Sequence, residues 1–529
     1  MRLTTPSPHL PNQARDEALL QICKQIRQNP NANSAELGWQ LLLICLACFA
    51  PSRDLSPPLM SFCLQTALTH KNLLGAGENR AADDSTAHSA SASDFEILRC
   101  SEKAARACIR SAMLPPRVDM PGNDELEALR RGAKMAVGVH LVDGRVLQVM
   151  VDSWTSVGAM ASTVALELGV HGDNSQCFAL YEAEMLSATG IGIGVGGGGI
   201  VAGAGAGAGA GAMGLGAASA GAGAERLLLP GERVLDLHSL WLQHAQSNAH
   251  TPTAKDRRQQ APSFRFLFKI SLFLDCTPRG CAALDADPAA IQLLYAQAVS
   301  DVLAARYPLS EQDAVALAAL QAQELLGDLP MPSRIDPLSA AFDGTLTDTS
   351  PRPLSQYAPQ DSHVDLTLLL GGRSLHHFMH RRFLGSHTDT HERLLQRRQA
   401  VERAMLAAYE RLRGFSPREA RLAYLCVLRA NRLYGAAYFR AQAARAGGAG
   451  AGSGGEVILA ITPSFLVVVQ PEQVVYLMEY PLAEIEEWGY KEDSSTVVLV
   501  LPGDEKAYFR TAQAKAVVAL LDEYSLLHD

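Results

Sequence analysis

Residues 293–321 have the sequence LLYAQAVSDVLAARYPLSEQDAVALAALQ, which places two apolar helical segments on either side of one proline. Apolar side chains recur at helical spacing in both segments. Pro308 has no backbone donor and cannot continue the first helix. Ser310 and Asp313 form a capping-box-like pair that starts the second helix. The segment therefore predicts a helical pair, and the chain around it divides where the periodicity changes.

Three other regions have their own periodicity. Residues 13–113 are helical, with a buried helix in ELGWQLLLICLACFAPS (36–52). Residues 134–182 predict strand, turn, strand, helix and strand, which is the order of a ubiquitin-like fold. The hairpin turn is Asp143-Gly144, and Ser153 or Thr155 caps the helix. Residues 456–510 contain six or seven short strands before a last helix, as in a pleckstrin-homology-like barrel.

Length and charge limit the possible classes. The chain has 529 residues, enough for about three to five domains. Its net charge is −9, and residues 456–529 alone carry 13 acidic and 4 basic residues. A nucleic-acid-binding protein is usually basic, so we expect no nucleic-acid partner. The N-terminus lacks a secretory signal, and ten sparse cysteines indicate a reducing, cytoplasmic compartment.

Catalytic and phosphate-binding patterns are missing from the sequence. It has no Gly-Lys dipeptide, so it has no P-loop, and ATPase activity is excluded for the chain as given. The spacing G-x-G-x-x-G at Gly194, Gly196 and Gly199 arises from the composition of a Gly/Ala tract. Cys45 and Cys48 lie in an apolar helix without a second pair. We therefore predict no enzyme activity and no cofactor.

Five histidines form a cluster in the sequence: His376, His377, His380, His387 and His391. Two pairs have i, i+4 spacing, which suits metal ligands on a helix face. The second histidine of an H-E-x-x-H motif is replaced by Leu395, however. We expect solvated or capping histidines and no metal site.

Two groups of cations are candidate docking surfaces. Arg99, Lys103, Arg106 and Arg110 are spaced by four, three and four residues, which places them on one helix face. They are either a solvated face or a stripe that binds an acidic polymer. Lys24 and Arg27 would extend this stripe if they lie on the same side. A second basic patch comprises Arg381, Arg382, Arg397 and Arg398. It suits lipid headgroups, tubulin or an acidic peptide, or is a plain exposed helix.

Several segments resemble one known array of domains. RDEALLQICKQIRQNP (15–30) and GWQLLLICLACFAPS (38–52) resemble the myosin tail homology 4 (MyTH4) domain. VHLVDGRVLQVMVDSWTSV (139–157) resembles the first lobe of a FERM module. Residues 293–321 are similar to the start of the FERM helical lobe, and NRLYGAAYF (431–439) resembles its exit.

The resemblance implies a multidomain α+β chain with four parts. A MyTH4 domain spans 1–118 and is incomplete at its N-terminus, since only fourteen residues precede Arg15. A ubiquitin-like lobe spans 132–275, with a Gly/Ala-rich insertion at 184–225. A helical, acyl-CoA-binding-protein-like lobe spans 276–434, with a disordered loop at 329–362. A PH/PTB-like lobe spans 435–529.

The MyTH4–FERM tandem occurs in tails of unconventional myosins (class VII, X and XV type) and in the plant and algal kinesin-like calmodulin-binding protein. The resemblance implies a non-catalytic, cytoskeleton-associated module that binds membrane-protein tails, microtubules and actin-associated partners. It also implies microtubule binding by the helix stripe. The alternative is a motor-independent FERM linker at the membrane, which binds phosphoinositides and receptor tails.

FERM third lobes commonly hold a peptide between one strand and the terminal helix. By this resemblance, the groove here comprises Ile485, Trp488, Tyr490, Val517 and Leu521. These side chains would otherwise fill the core of the lobe. The acidic charge of the region favours a basic or neutral cargo peptide and opposes anionic lipid at this lobe.

Overall fold

The computed structural model describes residues 12–78, 92–117, 120–185, 225–249, 263–274, 278–329, 370, 373–385, 390–444, 455–470, 476–491, 495–503 and 505–528. The predicted Gly/Ala insertion at 184–225 and the predicted loop at 329–362 lie almost wholly outside these residues. Within the described chain, no helix has the length and apolarity needed to cross a bilayer.

The N-terminal domain consists of packed helices. They are α1 (Asn12–Ile26), α2 (Ala32–Cys48), α3 (Ser56–Glu78), α4 (Ala92–Ala112) and α5 (Asn123–Arg131). Helix α2 starts where the Asn31 side chain accepts a hydrogen bond from the backbone of Ser34. Its Trp39 is buried and stacks on Phe62 of α3 at 5.5 Å between ring centroids. Helix α5 lies between the predicted domain limits, where the sequence interpretation placed no element.

The first lobe has a five-stranded sheet with two helices. Its elements are β1 (Met135–Leu141), β2 (Val146–Val151), α6 (Val157–Glu167), β3 (Phe178–Met185), β4 (Glu225–Leu227), α7 (Val234–Ala249) and β5 (Ser263–Ile270). The strand order is β2-β1-β5-β3-β4, with β1 and β5 parallel. Gly144 adopts a φ of 89°, which a glycine takes without strain, so the predicted hairpin turn is confirmed.

The predicted cap of α6 is wrong by one to three residues. Ser156 is the N-cap, and its hydroxyl accepts from the backbone of Ala159. Thr155 is unavailable because its hydroxyl donates to Asp152 and accepts from the Asp152 backbone. Ser153 is buried, and its carbonyl accepts from Arg233.

The middle lobe is helical. It contains α8 (Pro278–Ala286), α9 (Pro288–Leu303), α10 (Glu311–Leu326), α11 (His391–Glu410) and α12 (Pro417–Arg429). Short 3-10 turns at Leu375–His377 and Arg381–Phe383 precede α11. The predicted cap of α10 is confirmed, because the Ser310 hydroxyl accepts from the Asp313 backbone.

The third lobe is a seven-stranded sheet in the described residues, and it shares a core with the last helix. Its elements are β6 (Ala437–Ala444), β7 (Glu456–Ile461), β8 (Phe465–Val469), β9 (Tyr476–Pro481), β10 (Glu487–Lys491), β11 (Thr496–Leu501), β12 (Glu505–Arg510) and α13 (Ala514–His528). The order is β10-β11-β12-β6-β7-β8-β9, with all described pairs antiparallel. Strands β10 and β9 are therefore the two edges of the described sheet.

Two of the hydrophobic cores contain residues from more than one lobe or domain. One core joins the first-lobe sheet to α9 and α12 of the middle lobe and to residues of β7 and β8. The core of the N-terminal domain includes Trp154, which the first lobe contributes. Burial of shared apolar surface is the main force that holds such elements together. The N-terminal domain and the three lobes are therefore packed against one another.

Candidate functional site

The predicted stripe on α4 is largely occupied by internal contacts. Arg99 donates to the carbonyl of Arg130 at 2.7 Å and pairs with Glu96. Lys103 donates to the carbonyl of Gly132 at 2.6 Å. Both carbonyls belong to the end of α5, so these two cations hold α5 against α4.

Gly132 explains how close this contact is. The residue has a φ of 66° and ends α5. A Cβ at this position would lie 1.7 Å from an Arg99 guanidinium nitrogen. Only glycine combines the left-handed conformation with this approach of the guanidinium group.

Arg110, the last member of the stripe, joins α4 to the first lobe. Its guanidinium donates to both carboxylate oxygens of Asp152, at 2.7 and 2.9 Å. Burial alone would raise the pKa of Asp152, but Arg110, Thr155 and the Trp154 backbone lower it below its ordinary value. The Arg110 guanidinium also lies 5.7 Å from the centre of the Trp154 ring.

The remaining predicted cations of this group face solvent. The Arg106 side chain is 76% exposed and lies 4.0 Å from Glu102. Lys24, on α1, and Arg27, directly after it, are exposed. Of the four cations of the α4 stripe, only Arg106 is thus left mainly to solvent.

Two buried arginines complete the contact between the N-terminal domain and the first lobe. The Arg117 side chain is 2% exposed, donates to both Glu125 oxygens at 2.6 and 3.0 Å, and pairs with Asp236 at 2.5 Å. Burial opposes the charge of Arg117, but Glu125 and Asp236 raise its pKa above the ordinary value. A buried guanidinium with two carboxylates fixes the relative position of the groups that carry them.

Arg233 and Trp154 reach from the first lobe into the N-terminal domain. Arg233 donates to the carbonyls of Ala47 and Pro115, at 3.1 and 3.0 Å. The indole nitrogen of Trp154 donates to the carbonyl of Leu46 at 3.1 Å. We call Arg99, Lys103, Arg110, Arg117 and Arg233 the junction cations.

Sequence reasoning missed the junction roles of Arg117, Asp152 and Arg233. One signal was available, since a lone arginine inside an apolar segment such as RVLDLHSLWL (233–242) often has a buried partner. The carbonyls that Arg233 contacts lie 80, 118 and 186 residues away in the sequence, and spacing does not reveal them.

The predicted basic patch divides by contacts: Arg382 and Arg397 reach backbone carbonyls of other segments, whereas no such contact is recorded for Arg381 and Arg398 among the described residues. Arg382 donates to the carbonyls of Tyr307 and Leu309, and Arg397 donates to the carbonyl of Phe383 at 3.1 Å. Arg381 is exposed, and Arg398 lies on the exposed side of α11 with Glu402 at 3.2 Å. Exposed His376 and His377 are nearby, close enough for Arg381, Arg398 and His377 to act on the His376 charge.

The residues of the predicted peptide groove come from the edge strand β10, the residues just before it, and α13. Ile485, Val517 and Leu521 are buried in the core of the lobe. They form the floor beneath this edge and are not open to solvent. These three residues are therefore core side chains, which was the alternative to a role in lining the groove.

Trp488 and Tyr490 form the rim of the same edge. Trp488 is half-buried, and its indole nitrogen donates to Asp522 of α13 at 2.7 Å. Tyr490 is 36% exposed, with the Lys515 ammonium 5.8 Å from its ring centre. Two aromatic side chains beside an edge strand provide an amphipathic contact surface for an added peptide strand.

A cavity of about 150 Å³ lies where the three lobes meet. A chain of ion pairs lines it: Lys269 with Glu225, Glu225 with Arg306 at 2.8 Å, and Arg306 with Asp301 at 2.9 Å. Burial opposes ionisation of Glu225, but Lys269 and Arg306 lower its pKa to about 2. Both cations of this ion-pair network, Lys269 and Arg306, are paired with carboxylates. The network therefore joins the lobes, and we assign it no ligand.

The five histidines predicted to be solvated or capping lie in this middle lobe, except that His387 is outside the described residues. His380 caps the Arg381–Phe383 turn, since its ring accepts from the Arg382 backbone. Within the described chain, no three His, Cys, Asp or Glu side chains are gathered as metal ligands.

Two family models match the chain. The MyTH4 domain model matches residues 8–128, and the FERM central domain model matches residues 284–439. The first match includes most of α5, and the second ends at the start of β6.

Among curated relatives, unconventional myosin heavy chain 6 of Caenorhabditis elegans is 29% identical over 169 residues, which are 32% of this chain and 7% of that protein. Kinesin-like protein KIN-14I of Oryza sativa subsp. japonica is 24% identical over 316 residues, 59% of this chain and 20% of that protein. The matched region thus spans a fifth or less of either relative.

One solved structure aligns with the entire chain. It is the human Myosin 7b C-terminal MyTH4-FERM domain in complex with the harmonin-a PDZ3 domain. The TM-score is 0.53 at 16% identity, with 100% of this chain and 84% of that chain covered. At this identity the likeness establishes the fold alone.

Proposed function

We propose that this chain, which is a MyTH4–FERM tandem, is a non-catalytic module that binds a cargo peptide at the β10 edge of its third lobe. The peptide would come from the cytoplasmic tail of a membrane protein. The observation that carries the proposal is the edge strand β10 beside α13, with Trp488 and Tyr490 at its rim.

Charge selects the class of peptide. Residues 456–529 carry 13 acidic and 4 basic residues, and exposed Glu487 and Asp522 lie at the rim itself. Long-range attraction brings basic segments to such a surface and repels acidic ones. The expected ligand is an extended peptide of neutral or positive charge that pairs with β10 as an added strand.

The relatives support the cellular context. Matching regions occur in a myosin and in a kinesin-like protein, both of which are cytoskeletal motors by name. We infer that the module works as, or like, a motor tail, with microtubules or actin-associated proteins as further partners. A myosin structure bound to a PDZ domain supports the use of such tandems as protein-binding platforms.

The test is selection of displayed random peptides on the immobilised full chain, followed by affinity measurement. We expect the selected peptides to be neutral or basic. Tyr490→Ala should weaken their binding about tenfold, as truncation of an aromatic interface anchor commonly does. Trp488→Ala should do the same.

The matched control is Leu477→Ala on the opposite edge strand β9, where Leu477 is also exposed. It should leave the affinity unchanged. Peptides that are mainly acidic, or equal affinity for wild type and Tyr490→Ala with a normal melting temperature, would contradict the proposed site.

A further inference from the structure

Helix α4 carries a row of exposed side chains on the face away from the core of its domain. Phe95 is 59% exposed and Ile109 is 54% exposed, and Met113, directly after the helix, is 80% exposed. The side chains of Glu102 and Arg106 lie between them and are 46% and 76% exposed. We call these five residues the α4 seam: Phe95, Glu102, Arg106, Ile109 and Met113.

The α4 seam follows a heptad spacing. Its members are separated by seven, four, three and four residues, as are the contact positions of a two-stranded coiled coil. The buried residues of α4 lie on the opposite face, so the domain core does not use the seam. Helix α5 contacts the neighbouring flank through Arg99 and Lys103 and leaves the seam exposed. The seam therefore presents a helix-packing face to solvent.

The seam is self-complementary about its centre. Phe95 and Met113 lie nine residues before and after Ala104, and Glu102 and Arg106 lie two residues before and after it. Two copies of α4 that pack antiparallel, with residue 104 of each at a two-fold axis, bring Phe95 opposite Met113 and Glu102 opposite Arg106. Each contact then occurs twice, as a two-fold interface requires.

Charge favours this antiparallel arrangement. Parallel helices in register would place Glu102 beside Glu102 and Arg106 beside Arg106, and such like charges repel each other. Within one chain the two groups are 4.0 Å apart, too far for a hydrogen bond, so a second copy can engage both. A uniformly acidic or uniformly basic partner would match only one of the two charges. The partner that satisfies both is another α4 seam.

We propose that the α4 seam is a self-association surface, at which two copies of this chain pair antiparallel. Burial of Phe95, Ile109 and Met113 drives the association, and the ion pairs between Glu102 and Arg106 fix its register. One helix seam is smaller than a standard protein interface, so we expect a weak dimer that forms at about 10 to 100 µM. The surface lies in the N-terminal domain and does not depend on the β10 edge.

Sedimentation velocity of the full chain, from about 1 to 300 µM, measures this association. The wild-type sedimentation coefficient should rise from that of one chain towards that of two. Arg106→Glu and Glu102→Arg should each abolish the rise, because each substitution places like charges opposite each other at both central contacts. An equimolar mixture of these two variants should restore the rise, since acidic seams then face basic ones.

An apolar variant tests the ends of the seam. Met113→Ser should weaken self-association about tenfold, as loss of a large interface side chain commonly does. The matched control is Leu166→Ser on α6, which replaces an apolar side chain that is 68% exposed, and it should leave the association unchanged. Melting temperatures show whether each variant is folded.

Glu102→Arg also separates self-association from attraction to an acidic polymer. This substitution removes the pairing of the seam but adds positive charge to α4. It should therefore yield a monomer whose co-sedimentation with microtubules is not weakened by loss of charge.

Three results would overturn the proposal. One is a chain that stays monomeric at the highest concentration. Another is self-association that persists in both single-charge variants, which would place the contact elsewhere. The third is a mixture of the two folded variants that does not associate although wild type does, which would show that Glu102 and Arg106 do not face each other across the interface.

Discussion

The junction cations and the arginines Arg381 and Arg398 of the basic patch have similar sequence patterns but different contacts. Lys103 and Arg110 of α4 are spaced along one helix face, and their charged ends contact the Gly132 carbonyl and the Asp152 carboxylate. Arg381 and Arg398 also come from a segment rich in arginine, but Arg381 is exposed near His376, and Arg398 pairs only with Glu402 of its own helix among the described residues.

The difference shows what a basic stripe means in this molecule. A cation whose donors reach carbonyls and carboxylates of another element stabilises the packing of that element. A cation that faces solvent beside other cations adds little stability and remains available to an anionic partner. The junction cations should therefore control stability, and Arg381 and Arg398 should contribute little to it.

The largest effect is expected at Arg117. Arg117→Leu leaves buried Glu125 and partly buried Asp236 without their guanidinium, which costs about 3–5 kcal/mol of the free energy of unfolding. Denaturant unfolding of the full chain, followed by tryptophan fluorescence, measures this loss.

A second variant separates charge from packing at the same position. Arg117→Leu combined with Glu125→Leu removes the main uncompensated carboxylate and should recover part of the stability. If Arg117→Leu unfolds with the wild-type midpoint and slope, the junction does not depend on this ion pair. That result would contradict the claim that the junction cations control stability.

A smaller loss of stability is expected at Arg110. Arg110→Gln removes a bidentate but half-exposed pair, which is worth about 1 kcal/mol. Asp152 has a pKa below its ordinary value, so its contribution is present above about pH 4 and is lost as pH falls through the lower, folded-state pKa.

The measurement is the melting temperature of wild type and Arg110→Gln as a function of pH. The difference should be largest near neutral pH and should shrink in acid. A difference that is constant from neutral pH to well below pH 4 would show that Asp152 is not the partner that matters.

Microtubule binding distinguishes the outward member of the α4 stripe from an inward one. Arg106→Glu reverses a charge that faces solvent, and we expect about fivefold weaker co-sedimentation with microtubules, roughly 1 kcal/mol, at an unchanged melting temperature. Lys103→Glu should instead lower the melting temperature, because it removes the donor to Gly132.

These two variants also test the hypothesis that α4 docks on an acidic polymer. Unchanged sedimentation of Arg106→Glu would leave α4 with a structural role alone. Lys24→Glu on α1 then shows whether the exposed cations of the first helix act instead.

The smallest effect on the free energy of unfolding is expected for substitution of Arg381 and Arg398. Arg381→Gln plus Arg398→Gln should change the free energy of unfolding by less than about 0.5 kcal/mol, as for exposed positions generally. Denaturant unfolding alongside Arg110→Gln gives the direct comparison. A loss larger than that of Arg110→Gln would reverse the assignment of inward and outward cations.

The sequence predicts the architecture well, because local signals determine it. Pro308 and Ser310 mark the helix boundary at 303–311, and Asp143-Gly144 marks the first hairpin. The MyTH4 and FERM matches confirm the predicted families. Helix α5 was not predicted, since nine mostly charged residues have too short an apolar pattern to be distinguished from a linker.

The candidate surfaces were only partly predictable. Helical spacing correctly places Arg99, Lys103 and Arg110 on one face, but it contains no information on what that face contacts. Their partners Arg130, Gly132 and Asp152 follow some 30 to 40 residues later. Likewise, Val517 and Leu521 have the spacing of a groove wall, yet packing places them beneath the edge as core.

Amide hydrogen exchange of the full chain, with and without a selected basic peptide, tests the central claim most directly. A peptide added as a strand would pair with β10, which is an edge of the described sheet, so we predict slower exchange over Glu487–Lys491 and the adjacent start of α13. Slower exchange at Tyr476–Pro481 of the opposite edge, with β10 unchanged, would contradict the proposed site.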